Sequence, residues 1–195
     1  MKSKNIMIVG VGGQGTLLAS RILGDAVIKA GFDVKISEVH GMSQRGGSVV
    51  TYVKYGEKIY SPIIDKGEAD IILAFEQLEA YRALPFLKRG GIIIVNDQKI
   101  NPMPVITGAA SYPENIYDKL RKTADIEVID ALSLAEKAGN IKAVNVVLIG
   151  VMAKMTDIKY EDWVETIKAT VPKKFLDVNL KAFDFGYNLD KTEKI

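Results

Sequence analysis

A chain of 195 residues that is 48% hydrophobic and 26% charged carries enough apolar content for a substantial core, which excludes a disordered or fibrous polypeptide. Its net charge of +2, with Lys and Arg scattered among acids, argues against a nucleic-acid partner, and its lack of cysteine excludes disulfides, Cys-type zinc sites and cysteine-ligated iron–sulfur clusters. A single histidine disfavours His-rich metal sites as well, so any redox metal chemistry connected with this protein must sit on another chain.

Lys4 to Val9, rich in Ile, Met and Val, predicts a strand that ends at Gly10. From Gly15 to Ala30, Leu17, Leu18, Ile22, Leu23, Ala26 and Val27 recur at helical spacing, and Gly31 supplies a C-terminal stop. Phe32 to Val39 reads as a second strand, making a βαβ unit of the first three elements. After a loop from His40 to Gly47, Ser48 to Tyr55 alternates around Val49, Thr51 and Val53; Gly56-Glu57 then separates it from Lys58 to Ser61, so a hairpin is expected between these two runs and the sheet should be mixed.

Ala69 to Phe75 is an apolar run typical of a buried strand, Glu76 to Leu87 is helical, and Gly90-Gly91 leads into a strand at Ile92 to Asn96. Pro102, Pro104, Gly108 and Pro113 mark a looped stretch with one short strand expected at Val105 to Thr107. A helix over Glu114 to Thr123, a strand over Glu127 to Ile129 and a helix over Ala131 to Ala138, stopped by Gly139, follow. The remainder predicts helices at Ala143 to Lys154, Tyr160 to Thr170 and Lys173 to Phe185, with a polar, frayed end from Asp190 to Ile195. The alternation defines an α/β doubly wound, mostly parallel sheet with a β-hairpin and a helical C-terminal cap, in a single domain over residues 1–195. The longest apolar stretch, Val144 to Met155, is shorter than the roughly 20 residues of a membrane helix. Met1 to Asn5 has no signal-peptide pattern, so a cytoplasmic protein without membrane association is expected.

Two glycine-rich blocks stand out: Gly10-Val11-Gly12-Gly13-Gln14-Gly15, and His40-Gly41-Met42-Ser43-Gln44-Arg45-Gly46-Gly47-Ser48. Both follow strands, and ligands of doubly wound sheets bind beyond the strands' carboxyl ends, so the blocks should line one crevice. Gly10, Gly12 and Gly15 fit a G-x-G-x-x-G turn, whose amides and helix dipole favour an anion; the same residues also suit a plain strand-to-helix turn. Thr16 stands where a P-loop carries lysine, which disfavours NTP hydrolysis. Arg45 has the planar fork that suits phosphate or carboxylate, of a ligand or of a protein chain, and Gly46-Gly47 clears its approach. Ser43, Gln44 and Ser48 can donate to the same ligand or cap the loop, and His40 can serve as a hydrogen-bonded structural residue or as a catalyst. A nicotinamide-dependent oxidoreductase is the alternative reading: Glu38 lies 23 residues past Gly15, where such enzymes place the acid that binds a ribose. Against it, no later set of His, Lys or Tyr suggests hydride transfer. Glu76 and Glu79 begin a helix and complement its dipole. The apolar Val144 helix must be buried within the fold or against another chain, and Trp163 suits the core better than an interface.

Together these blocks, Ala69-Asp70 leading into Glu76-Gln77-Leu78-Glu79-Ala80-Tyr81-Arg82, and Asn145 in the apolar helix resemble the gamma-type domain of the 2-oxoacid:ferredoxin oxidoreductases. The resemblance runs from Lys4 to Leu189, with the His40 to Ser48 block its most specific part, and points to members that act on aryl 2-oxoacids. It implies a subunit, inactive alone, of an enzyme that oxidatively decarboxylates the oxoacid to acyl-CoA and CO2 and passes electrons to ferredoxin. It further implies that thiamine diphosphate, Mg and 4Fe–4S clusters belong to a larger alpha subunit. Gly24-Asp25-Ala26 and the absence of an Asn-Asn pair agree, because thiamine diphosphate sites typically carry Gly-Asp-Gly followed by Asn-Asn. Gamma domains are associated with coenzyme A, so the resemblance implies cofactor-binding roles for Gly10, Gly12, Gly13, Gln14 and Gly15, for His40 and Ser43 to Ser48, and for Asn145, with no catalytic or metal-ligating residue.

Overall fold

A computed structural model describes residues 3–40 and 47–189, with position 40 described through its backbone. Six strands form one sheet: β1 (Lys4–Val11), β2 (Asp33–His40), β3 (Ser48–Gly56), β4 (Ala69–Ala74), β5 (Leu87–Asn96) and β6 (Asp125–Ile129), in the spatial order β2-β3-β1-β4-β5-β6. β3 runs antiparallel to both its neighbours, and the pairings of β1, β4, β5 and β6 are parallel. The mixed, mostly parallel sheet matches the expectation, but the hairpin is a different one. β2 and β3 are its arms, paired from Asp33 opposite Gly56 to His40 opposite Val49. The run Lys58 to Ser61 is not a strand, because β1 and β2 occupy both edges of β3 and leave no ladder to join. Ile59 is buried and its amide bonds Asp33 Oδ2 at 2.8 Å, while Tyr60 points to solvent.

The first three elements form a βαβ unit whose two strands are not neighbours. β1 and β2 point the same way on either side of α1 (Thr16–Lys29), but β3 lies between them. β3 can do this because both its faces are covered: Val53 and Tyr55 join one core and Val50 and Tyr52 pack on the other.

Period-two alternation divides the core into two layers. Ile6, Ile8, Ile71, Leu73 and Ile94 face a layer built from α1, α5 (Ala131–Ala138), α6 (Val144–Ala153), α7 (Tyr160–Thr170) and α8 (Leu176–Tyr187). Met7, Val9, Ile72, Ala74, Ile93 and Val95 face α2 (Gln77–Ala83) and α4 (Ile116–Arg121). Helices on both faces make the sheet doubly wound. The short strand expected at Val105 to Thr107 is instead a single helical turn, α3 (Met103–Ile106), with Pro104 in its first turn, where the missing N–H costs nothing.

Every residue of α6 from Asn145 to Ala153 is buried, and α8 provides much of the cover. Gly150 meets the backbone of α8 and Gly186 that of α6, so the two helices approach more closely than side chains would allow. This answers the question left by the apolar run: its own chain buries it. Trp163 also belongs to this core, stacked on Phe183 with ring centroids 6.2 Å apart. No helix of the described residues is long and apolar enough to cross a membrane. The expectation for Asp190 to Ile195 lies outside the described residues.

Candidate functional site

β1, β4, β5 and β6 end at a common edge, tied together by Phe75 N–H to the Val9 carbonyl at 2.8 Å and Asp97 N–H to the Ile129 carbonyl at 2.8 Å. The Gly10 to Gly15 turn leaves β1 here. Gly13 and Gly15 have φ of +97° and +85°, left-handed conformations that a side chain strains, so the turn requires glycine at both.

Gln14 holds the turn from inside. Its Oε1 accepts the Val11 N–H at 2.8 Å, and its Nε2 donates to the Phe75 carbonyl and to Gln98 Oε1, each at 3.0 Å. The side-chain amide expected to meet a ligand is thus engaged by the protein. A Cβ on Gly10 would lie 2.7 Å from that Oε1, so Gly10 makes room for Gln14. Asn145 works from below: its Nδ2 donates to the Gly15 carbonyl at 3.3 Å, and a Cβ on Gly15 would fall 2.8 Å from the same nitrogen. At 4% exposure Asn145 is a support for the turn, 130 residues away in the chain.

The second glycine block reaches the first. Gly12 N–H donates to the Gly47 carbonyl at 3.0 Å, and Ser48 stands opposite Val11 in the β1–β3 ladder. Ser48 Oγ also donates to Glu79 Oε2. Of the remaining candidates, Ser43, Gln44, Arg45 and Gly46 lie outside the described residues, as does the side chain of His40.

Beside the turn lies a cavity of about 540 Å³, lined by Gly13 to Gly15, by Asn96, Asp97 and Gln98 at the end of β5, and by Lys142. Leu132 and Ile141 form an apolar rim, both substantially exposed. Gly15 is the N-cap of α1 and makes no side-chain capping bond, which leaves the helix's first amides and the positive end of its dipole beside this space. Lys142 adds a positive charge that offsets the Asp97 carboxylate in the same lining, so the anion's place is at the helix start. Such a lining suits an anionic group attached to a larger, partly apolar molecule.

The polar triplet Asn96-Asp97-Gln98 was not among the sequence candidates, although polar residues directly after an apolar strand are the signal for this edge. Lys142 carried no such signal. Asp97 is held by the Tyr117 hydroxyl at 2.7 Å, and burial together with this bond pushes the Tyr117 phenol well above its ordinary range.

On the other face of the edge, Glu76 and Glu79 are buried, at 1% and 3% exposure. Glu76 caps α2, its Oε1 accepting the Glu79 N–H at 2.5 Å, as the dipole argument expects. Burial raises its pKa above the usual carboxylate value, with the nearby charge of Glu79 adding to the effect and amide hydrogen bonds opposing it. Glu79 instead bridges Arg82 and Ser48, which the dipole argument does not explain. Among the described residues no cluster of three His, Cys, Asp or Glu side chains could hold a metal ion.

The sheet order bears on the nicotinamide alternative. With β3 inserted, Glu38 on β2 sits two strand spacings from β1, roughly 10 Å, rather than on the adjacent strand that flanks a dinucleotide. Thr51 Oγ1 donates to its carboxylate at 3.2 Å. The Gly12 amide, which would have to face a pyrophosphate, is spent on Gly47.

An open-edged sheet with a glycine turn and a second segment folded onto it defines a class. The chain belongs to the pyruvate ferredoxin/flavodoxin oxidoreductase family, whose model matches residues 5–189. Within it, the chain is 43% identical over 199 residues to the indolepyruvate oxidoreductase subunit IorB of Thermococcus kodakarensis, covering 98% of both chains. It is 28% identical to the common gamma subunit of the pyruvate/ketoisovalerate oxidoreductases of the same organism, covering 92% of both. Its fold matches that of a 2-oxoglutarate:ferredoxin oxidoreductase from Magnetococcus marinus with a TM-score of 0.76 at 20% identity, covering 98% of this chain and 32% of that longer one.

Proposed function

We propose that this chain is the small subunit of an indolepyruvate:ferredoxin oxidoreductase, which decarboxylates an aryl 2-oxoacid, transfers the acyl group to the sulfur of coenzyme A and sends the released electrons to ferredoxin. The observation that carries this reading is the contrast in identity along nearly the whole chain: 43% with an indolepyruvate oxidoreductase subunit, against 28% with a pyruvate/ketoisovalerate one. Thiamine diphosphate, its magnesium and the iron–sulfur clusters do not fit the residues present here. The chain has no cysteine and no Gly-Asp-Gly or Asn-Asn pair, and its described residues hold no metal-ligating cluster. These groups therefore belong to a larger partner subunit, and this chain alone is inactive.

The contribution of the small subunit is a subsite for coenzyme A. Uncapped amides at the start of α1 and the Lys142 ammonium suit a phosphate, and the cavity of about 540 Å³ with its apolar rim suits the rest of the molecule. Support also comes from the structural relative of Magnetococcus marinus, which was solved with 2-oxoglutarate, coenzyme A and succinyl-CoA bound. Arg45, whose planar fork suits phosphate, is the residue proposed for a further contact with the ligand.

The test is anaerobic co-expression with the large subunit, followed by coenzyme A-dependent reduction of a ferredoxin surrogate with indolepyruvate, pyruvate and 2-oxoglutarate. Indolepyruvate should be the fastest substrate, and a preference for pyruvate would overturn the assignment. Reduction of NAD by the isolated chain would return the nicotinamide reading. In the same complex Arg45→Ala should raise the KM for coenzyme A about tenfold with assembly intact. Loss of assembly with an unchanged KM would move Arg45 to the subunit interface.

A further inference from the structure

Carboxylates near the start of a helix ordinarily stand in water, where they complement the dipole without desolvation. Glu79 does not: its side chain is 3% exposed, and burying a carboxylate costs several kcal/mol unless its oxygens are matched. Both are matched. Oε1 accepts from Arg82 Nη1 at 2.5 Å, and Oε2 accepts the hydroxyl of Ser48. Ser48 is the first residue of β3, and Gly47 just before it gives its carbonyl to the Gly12 amide at 3.0 Å. One buried side chain on α2 thus reaches the point where the two glycine segments join. A small space of about 120 Å³ borders it, walled by Met7, Val9, Val50 and Tyr52. Those walls desolvate the carboxylate, whose donors Arg82 and Ser48 reach it from more exposed positions. An aliphatic side chain would fill the space with no charge to desolvate, so packing alone does not account for a glutamate here.

We propose that Glu79 is a positioning residue: by holding Ser48, and through it the Gly47 carbonyl, it sets the geometry of the Gly12 amide and so of the crevice beside the Gly10 to Gly15 turn. Arg82 fixes the carboxylate so that its second oxygen points at Ser48. The consequence for binding rests on the reading of this crevice as a coenzyme A subsite.

The experiment compares the full-length chain with Glu79→Gln, Ser48→Ala and the double variant, first by residue-resolved amide exchange and then by steady-state kinetics in the assembled complex. Exchange at Gly12 should accelerate about tenfold in each single variant while the Ile72 and Leu73 amides of β4 keep their rates, since only local opening is involved. The KM for coenzyme A should rise about tenfold, with kcat and the KM for the 2-oxoacid unchanged within about twofold. The double variant should do no more than the stronger single one, because both changes cut the same tether.

Unchanged exchange at Gly12 would overturn the proposal whatever the kinetics. Equally faster exchange at Gly12, Ile72 and Leu73, or additive effects in the double variant, would overturn it too, reducing Glu79 to a general stabiliser. Faster exchange at Gly12 with an unmoved KM for coenzyme A would uphold Glu79 as the support of the turn and sink the coenzyme A reading instead. Should Glu79→Gln fail to fold, Ser48→Ala, a substitution at an exposed position, carries the same test.

Discussion

The carboxyl edge of the sheet and the seam between α6 and α8 are both built on glycine, and they use it in opposite ways. At Gly13 an added Cβ would meet nothing within 4 Å, whereas at Gly150 and Gly186 it would fall 2.3 and 2.0 Å from the carbonyl oxygens of Phe183 and Val147. On the edge, the missing side chain of Gly13 leaves the wall of the crevice clear. At the seam, the space is taken by another helix. A glycine therefore marks either an approach left free or one already used, and only the surrounding atoms tell which.

The largest effect that tests this contrast is expected at the seam. Gly150→Ala pushes a Cβ into backbone on a helix that cannot yield without repacking α8, so stability in urea should drop by about 3 kcal/mol or more. Gly13→Ala, strained in φ but unobstructed, should cost about 1 kcal/mol. Equal losses for the two would mean that obstruction at the seam adds nothing to backbone strain.

Gly15 stands between these extremes, with a left-handed φ of +85° and Asn145 Nδ2 at 2.8 Å from an added Cβ. Gly15→Ala should cost about 2 kcal/mol, part of it strain and part of it contact. A double-mutant cycle with Asn145→Ala sharpens the point, because removing the amide relieves the contact and leaves the strain. A coupling energy of about 0.5–1 kcal/mol would confirm that Asn145 closes on Gly15, and strict additivity would deny it.

The smallest expected effect is a slope. Burial raises the folded-state pKa of Glu76 above its unfolded value, so between those two values the native state holds the proton more tightly. This stabilisation is fully present below the unfolded value, 4.5, and is lost as pH rises through the folded one. Glu76→Gln should flatten that part of the pH dependence of urea unfolding. A slope left unchanged above the unfolded value would assign it to another group.

Much of the architecture was legible because its signals are local. The turn after β1, the end of α5 at Gly139 and the bounds of α7 at Tyr160 and Thr170 follow from glycine conformation and from apolar spacing along a few residues. Gly47, at the described end of the second glycine block, meets the first through the Gly12 to Gly47 bond for a similar reason: strands of a doubly wound sheet deliver their loops to one edge. Val105 to Thr107 forms a helical turn instead of the expected strand because so short a run has no period to distinguish the two, and Pro104 suits a helix's first turn. Partners of Gln14 and Glu79 lie 61 and 31 residues away along the chain, at Phe75 and Ser48, beyond the reach of any local signal.

By itself the sequence determined most of the strands and helices, which face of each is apolar, and that no cysteine-ligated cluster sits on this chain, since periodicity, glycine conformation and ligand chemistry belong to the residues themselves. Tertiary structure alone decided that β3 slips between β1 and β2, that Glu38 is thereby carried away from the crevice, and that Asn145, Glu79 and Lys142 come to the glycine edge. Ladder hydrogen bonds use the same backbone groups in every strand, so the choice of neighbour rests on how the buried faces pack against one another.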